Sequence, residues 1–328
     1  MRTPRRPAAV AALLALSLSL AACTSTGSTA ESADEGTATI KVGTLRGQPH
    51  FYAPYLYEDH GDLEVEVVAM ETAPALNDAL ASGSIDFAVG SITTTIAGAA
   101  AGRDVTILAA AADGGSGIVG GDGIDSVQDL VGAKVGYLES SAQLVALRLI
   151  LEREGVDVAD LDLVSLAPPE FFNAFQTGQI DAFAAPEIGV ALAIGAGGRA
   201  IADPYSTEIG RLNIALLATG KTVAEDTDLV QQVVDTHAAT TEYMAEHQDE
   251  WLPEMVDQYG GDEDVLSRAM ENFWLRADLS PSYEKQIANL ARQMARLDMI
   301  DSAPDLDDLV DTSFASREEP ADLSAAGS

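Results

Sequence analysis

Ala79-Leu80-Ala81-Ser82-Gly83-Ser84-Ile85-Asp86 and Ala174-Phe175-Gln176-Thr177-Gly178-Gln179-Ile180-Asp181 read as one device used twice: the end of a helix, a glycine, and the start of a buried strand. Gly83 and Gly178 can each take the left-handed conformation that stops a helix, and the isoleucine two residues on opens an apolar run. Such a corner occurs in any α/β protein, so the echo gains its meaning from the order of the elements around it.

Around the first copy, apolar runs at 38–42, 63–68, 85–89 and 105–110 read as strands, separated by helical patterns from near Phe51, at 73–81 and at 93–101. The rhythm restarts after Gly123, with 126–130, a strand at 134–138, an amphipathic helix at 142–154, a strand at 161–166, a helix at 169–176 and a strand at 180–184. Strands alternating with helices predict an α/β fold with parallel sheets, here two of them. A further strand at 212–218 follows, and beyond Lys221 the pattern is helical throughout, at 230–247, 264–274 and 281–297, with a last short helix near 305–310. That closing segment reads as a return to the first lobe.

The amino end is of a different kind. Arg2, Arg5 and Arg6 precede an apolar run that ends in Leu20-Ala21-Ala22-Cys23. Positive charge, a short apolar stretch and small residues before a cysteine form a secretion signal with a lipobox, which makes Cys23 the expected lipidation site. The run falls short of the ~20 residues that a membrane-spanning helix needs. Arg5-Arg6 also suggests twin-arginine export, although Pro7 and two alanines stand where that signal carries bulky apolar residues. Cys23 is the only cysteine, so lipidation leaves no thiol for a disulfide, a nucleophile or a metal site. From Thr24 to Thr39 the chain has the composition of a solvated tether.

The expected organisation is therefore a signal peptide at 1–22, a lipidated tether at 23–38, lobe I from 39–115 and 214–318, lobe II at 116–213, and a flexible tail at 319–328. A formal charge of −34, with acidic residues spread along the chain, argues against nucleic acid as a partner.

Ala79 to Phe87, Ala97 to Gly102, Asp129-Leu130-Val131-Gly132-Ala133-Lys134-Val135 and Gly178-Gln179-Ile180-Asp181-Ala182 together resemble the periplasmic substrate-binding family that serves importers of aliphatic sulfonates, taurine, nitrate and thiamine precursors. The likeness spans roughly 39–297. Ala133 replaces the lysine usual in the third motif. Pro186-Glu187-Ile188 stands where the family often carries Trp-Glu-Pro, so that aromatic wall is missing. The resemblance implies a type II periplasmic-binding-protein-like fold: two parallel-sheet lobes joined by a hinge, near 112–117 and 205–213. It also implies an extracytoplasmic receptor that hands a solute to a membrane ABC permease and works as a monomer.

Ligands of open parallel sheets sit beyond the carboxyl ends of the strands, where helix starts present unpaired N–H groups. That rule nominates Thr44, Leu45, Arg46 and Gly47 after the first strand, Gly90, Ser91, Thr93 and Thr94 after the third, and Asp113 at the first crossing. On the second wall it nominates Glu139, Ser140 and Ser141, then Pro186 and Glu187, with Glu170 at the edge. The hydroxyls suit an oxygen-rich ligand, although helix capping explains them equally well. The Arg46 guanidinium is a fork for a sulfonate or carboxylate, or a solvated surface arginine. Glu139 and Glu187 favour instead an amine or a heterocyclic N–H, so the residues alone leave the ligand's charge open.

The aromatic faces of His50, Phe51, Tyr52 and Tyr55 suit stacking on a flat ligand, but at helical spacing they read first as core. Gly114-Gly115-Ser116-Gly117 and Gly120-Gly121 lack the lysine–serine or lysine–threonine pair of a phosphate cradle and read as hinge. The four histidines, His50, His60, His237 and His247, show no metal-ligand spacing, so neither catalysis nor any metal or cofactor is expected. The expectation is a receptor for a small sulfonate-like or other oxyanion solute. The alternatives are a receptor for a neutral or cationic heterocycle, such as a thiamine-pyrimidine precursor, and a sensory module without transport.

Overall fold

A computed structural model describes residues 39–320; the expected signal peptide, Cys23, the tether and the end of the tail lie outside the described residues. Two sheets organise the rest. The first is six-stranded in the order β11-β4-β10-β3-β1-β2, and the second is five-stranded in the order β7-β6-β8-β5-β9. The strands are β1 Ile40–Leu45, β2 Val65–Met70, β3 Phe87–Ser91, β4 Thr106–Gly114, β5 Ser116–Gly120, β6 Lys134–Tyr137, β7 Asp162–Ser165, β8 Ala182–Pro186, β9 Arg199–Ala202, β10 Ile214–Ala218 and β11 Phe273–Leu275.

Both sheets are mixed rather than wholly parallel. β1 pairs in parallel with β2 and β3, and β6 with β7 and β8. The strands that carry the chain between the sheets run against their neighbours: β5 is antiparallel to β8 and β9, and β10 to β3 and β4. A chain that crosses over and inserts without an intervening helix enters from the opposite end, so its pairing reverses. β11 was hidden within a helical pattern. The helix there is Glu263–Met270, and Phe273–Leu275 forms a short edge strand against β4.

The quoted echo is a structural repeat down to single hydrogen bonds. Gly83 and Gly178 end helices Ala73–Ala81 and Phe171–Gln176 with φ of 72° and 68°. Ser84 N–H then donates to Ala79 O, and Gln179 N–H to Ala174 O. Ile85 and Ile180 follow, both buried. Asp86 Oδ2 accepts the Lys41 N–H at 2.8 Å, and Asp181 Oδ2 accepts the Lys134 N–H at 2.8 Å. Each aspartate thereby ties its corner to the start of the neighbouring strand.

The crossing is tightly packed. Only Gly115 separates β4 from β5, with φ of 65°, and a Cβ there would fall 1.9 Å from the Phe273 ring. Gly114 N–H donates to Arg211 O and Gly115 N–H to Asn272 O, so the outgoing strand, the returning strand and the segment before β11 are held together. Beside them Arg276 is buried, bonded through Nη1 to Asp113 at 2.7 Å and through Nη2 to Asp278 at 2.6 Å. The expected helix near Phe51 is broken into 3-10 turns at Pro49–Phe51 and Ala53–Leu56 before helix Tyr57–His60, because Pro54 supplies no N–H to a continuous helix.

In the second sheet β8 alternates its faces: Ala182 and Ala184 pack with Leu147 and Ile150 of helix Ala142–Arg153, and Phe183 and Ala185 with Phe171 and Val190 on the other side. Burial on both faces is the condition under which parallel pairs such as β6–β8 persist.

Candidate functional site

A cavity of about 360 Å³ opens where the carboxyl ends of the parallel strands of both sheets converge. Leu45 ends β1, with Gln48, His50 and Phe51 following it; Glu71, Thr72, Ala73 and Pro74 follow β2; Ser91 ends β3 and Thr94 follows it. On the facing side Leu138, Glu139, Ser140, Ser141 and Gln143 follow β6, Ala167 and Pro168 follow β7, and Pro186 ends β8. Asn213, just before β10, closes the inner end.

Three helices begin at this cavity. Thr72 caps Ala73–Ala81, Ser91 caps Ile92–Ala100 and Ser141 caps Ala142–Arg153, each hydroxyl accepting an N–H of its first turn. The partial positive charges of three helix starts therefore converge on one volume. Among the described residues no lysine or arginine lines it. Ser140 holds φ of 53°, unusual for a residue with a Cβ, and Ser141 Oγ donates to Leu138 O at 2.7 Å, which fixes the turn into its helix.

The nominated residues divide into those that reach the cavity and those committed elsewhere. Leu45, Ser91, Thr94, Glu139, Ser140, Ser141 and Pro186 line it. Thr44 is buried and its hydroxyl donates to Phe51 O, which bends the chain after β1. Arg46 lies outside the lining: β1 and β2 pair as Leu45↔Met70, so the next residues meet, and Arg46 Nε bonds Glu71 at 2.7 Å with its guanidinium over Tyr259. Gly47 faces the same tyrosine. Gly90 is sealed inside the sheet, where a Cβ would meet Leu217 at 2.8 Å, and Thr93 is buried outside the lining with no hydrogen-bond partner for its hydroxyl among the described residues. Asp113 is taken by Arg276. Glu170 accepts the Ala167 N–H and shapes the turn beside the cavity.

Glu187 turns away from the cavity and accepts from the Asn272 side chain, which comes from the other sheet's edge. Burial pushes its carboxyl up to about 7, against the opposing pull of that amide. His50 stacks on Phe273 at 4.0 Å, and burial pushes its imidazole down to about 3, so it faces the cavity as a neutral ring.

The strand-end rule had the means to find Glu71 to Pro74, Leu138, Ala167 and Pro168, since they follow β2, β6 and β7. Gln143 and Asn213 carried no such signal. One sits inside a helix, and the other enters only because the returning chain passes the cavity.

Two sheets whose strand ends share one cavity define the architecture of the two-lobed binding proteins. Residues 55–251 match the model of the NMT1/THI5 like family, and the chain belongs to that family. It is 25% identical over 271 residues, 80% of each chain, to a Bacillus subtilis (strain 168) protein named "Putative aliphatic sulfonates-binding protein". Its fold is similar to that of the periplasmic aliphatic sulphonate binding protein SsuA of Escherichia coli, with a TM-score of 0.72 and 18% identity over 82% of this chain and 96% of that one. The alkanesulfonate-binding protein SsuA of Xanthomonas axonopodis pv. citri, bound to MOPS, gives a TM-score of 0.70 at 19% identity over 80% and 94%.

Proposed function

We propose that the chain is an extracytoplasmic solute receptor, tethered by a lipid on Cys23, that captures a small organic oxyanion between its lobes and delivers it as a monomer to an ABC permease. The lobes are assigned as 39–115 with 214–318, and 116–213. The observation that carries the ligand class is the convergence of three capped helix starts on a cavity that also presents apolar side chains, among them Leu45, Phe51, Pro74 and Leu138. Such a site suits an apolar body with an oxygen-rich head held by hydroxyls and helix dipoles rather than by a guanidinium. The sulfonate-binding name of the Bacillus subtilis relative supports the same class. Binding without turnover fits a cavity whose one histidine is buried and neutral.

A second reading has one observation in its favour: the charged residues of the lining, Glu71 and Glu139, are both acidic, which suits a neutral or cationic heterocycle. A thermal-shift series separates the two, because a ligand that binds only the folded state raises its melting temperature. Ethanesulfonate and nitrate are expected to stabilise by a few degrees, an effect lost in Thr94→Val and kept in Arg46→Ala. Stabilisation by pyrimidines or amines alone would move the assignment to the second reading, and silence from every compound would favour a sensory module or a ligand outside the series.

A further inference from the structure

We infer that two carboxamides at the inner end of the cavity, Gln143 and Asn213, form an acceptor pair that favours a ligand carrying an N–H or O–H donor in addition to its oxyanion. The inference rests on the oxyanion reading and narrows it.

Both side chains line the cavity, and both have their nitrogen committed to the crossing between the sheets. Asn213 Nδ2 donates to Gly114 O at 2.7 Å. A carbonyl can only accept, so the amide has one orientation, and its Oδ1 is the atom left to the cavity. Gln143, almost fully buried, donates through Nε2 to Ser116 Oγ at 2.8 Å, which leaves its Oε1 in the corresponding role. Ser116 is itself held: its N–H donates to Tyr205 Oη at 3.0 Å, and its carbonyl accepts from Tyr205 Oη and Asn272 Nδ2 at 3.1 and 3.3 Å. The anchors are therefore two residues apart at one strand junction; the Asn213 amide cannot flip without abandoning its hydrogen bond to a carbonyl, and the Ser116 hydroxyl holds the Gln143 amide beside it.

A buried acceptor that the ligand leaves unmatched is costly, so a site of this kind discriminates against an analogue lacking the donor more sharply than a wholly apolar wall could. Among the described residues no lysine or arginine lines the cavity, so a ligand N–H or O–H is the donor best placed to meet these oxygens. The hydroxyl of Thr94, on the opposing helix start, and the capped first turns remain for the oxyanion.

The test is calorimetric titration of the full chain with ethanesulfonate, 2-hydroxyethanesulfonate and 2-aminoethanesulfonate. The hydroxyl- and amino-bearing probes are expected to bind about tenfold or more tightly than ethanesulfonate. Gln143→Leu should cut that ratio to about threefold or less. Gln143→Glu keeps an acceptor at the position and should preserve or raise the preference for the aminated probe, even as added negative charge weakens all three. A variant that acted only by loosening the fold would weaken the three probes alike, and that pattern overturns the inference. Equal affinity for the three in the unaltered protein overturns it too, while the oxyanion reading stands. Absence of binding by all three overturns both.

Discussion

The corners at 79–94 and 174–189 are built alike and finished differently. Up to the aspartate they match in chemistry: a glycine at positive φ, a buried isoleucine, and a carboxylate bonded to a backbone N–H at the start of the neighbouring strand, its second residue in one case and its first in the other. Five residues later they part. Ser91 caps its helix and stands with Thr94 at the cavity, whereas the equivalent Pro186 offers no cap, and the next residue, Glu187, reaches across to Asn272 of the other sheet. One corner thus presents hydroxyls to the cavity, and the other uses its first polar side chain to bond Asn272. The shared part of each corner is held by its own hydrogen bonds, whereas Ser91 and Pro186, both still paired in their sheets with Ile214 and Ser116, differ in what their side chains and the next residues reach.

The comparison can be broken where the two halves join. Gly115→Ala places a methyl group inside the Phe273 ring at a residue with φ of 65°, and overpacking adds to the left-handed backbone cost. A loss of about 3 kcal/mol in denaturant unfolding is expected. A loss below about 1 kcal/mol would show that the crossing is looser than its contacts imply.

Glu187→Gln sharpens the difference between the corners. The folded carboxyl is pushed above its ordinary 4.5 to about 7, so its neutral form is the one the fold favours. Its contribution is fully present below the ordinary value and is lost as pH rises through 7. The amide variant should therefore exceed the unaltered protein by about 2 kcal/mol at pH 8 and match it near pH 4. Melting temperatures across that range check the sign, and a variant destabilised at pH 8 would mean the ionised carboxylate is needed by Asn272.

The smallest effect tests the likeness itself. Asp86→Ala and Asp181→Ala each remove one acceptor from an exposed backbone N–H, at an expected cost of about 1 kcal/mol. The two values should agree within about 0.5 kcal/mol, and a larger gap in urea titration would mean that only one corner depends on its carboxylate.

Much of this was readable in one dimension. Alternation of apolar runs with helical spacing specified the α/β class, since burial periodicity is a property of neighbouring residues, and the repeated glycine corner specified the duplication. The strand-end rule found both walls of the cavity, because loops after parallel strands must gather at one edge. Other outcomes depended on partners far along the chain. Arg46 left the cavity because register set it beside Glu71, Asp113 and Arg276 are 163 residues apart yet buried together, and β11 became a strand by pairing with an edge that its own residues do not announce. Gln143 and Asn213 acquired their orientation from Ser116 and Gly114, which no local pattern connects to them. Local periodicity and turn chemistry follow from adjacent residues and were determined by the sequence alone; which polar group is already satisfied, and so which is left to face a ligand, was decided only when the tertiary structure brought distant partners within hydrogen-bond reach.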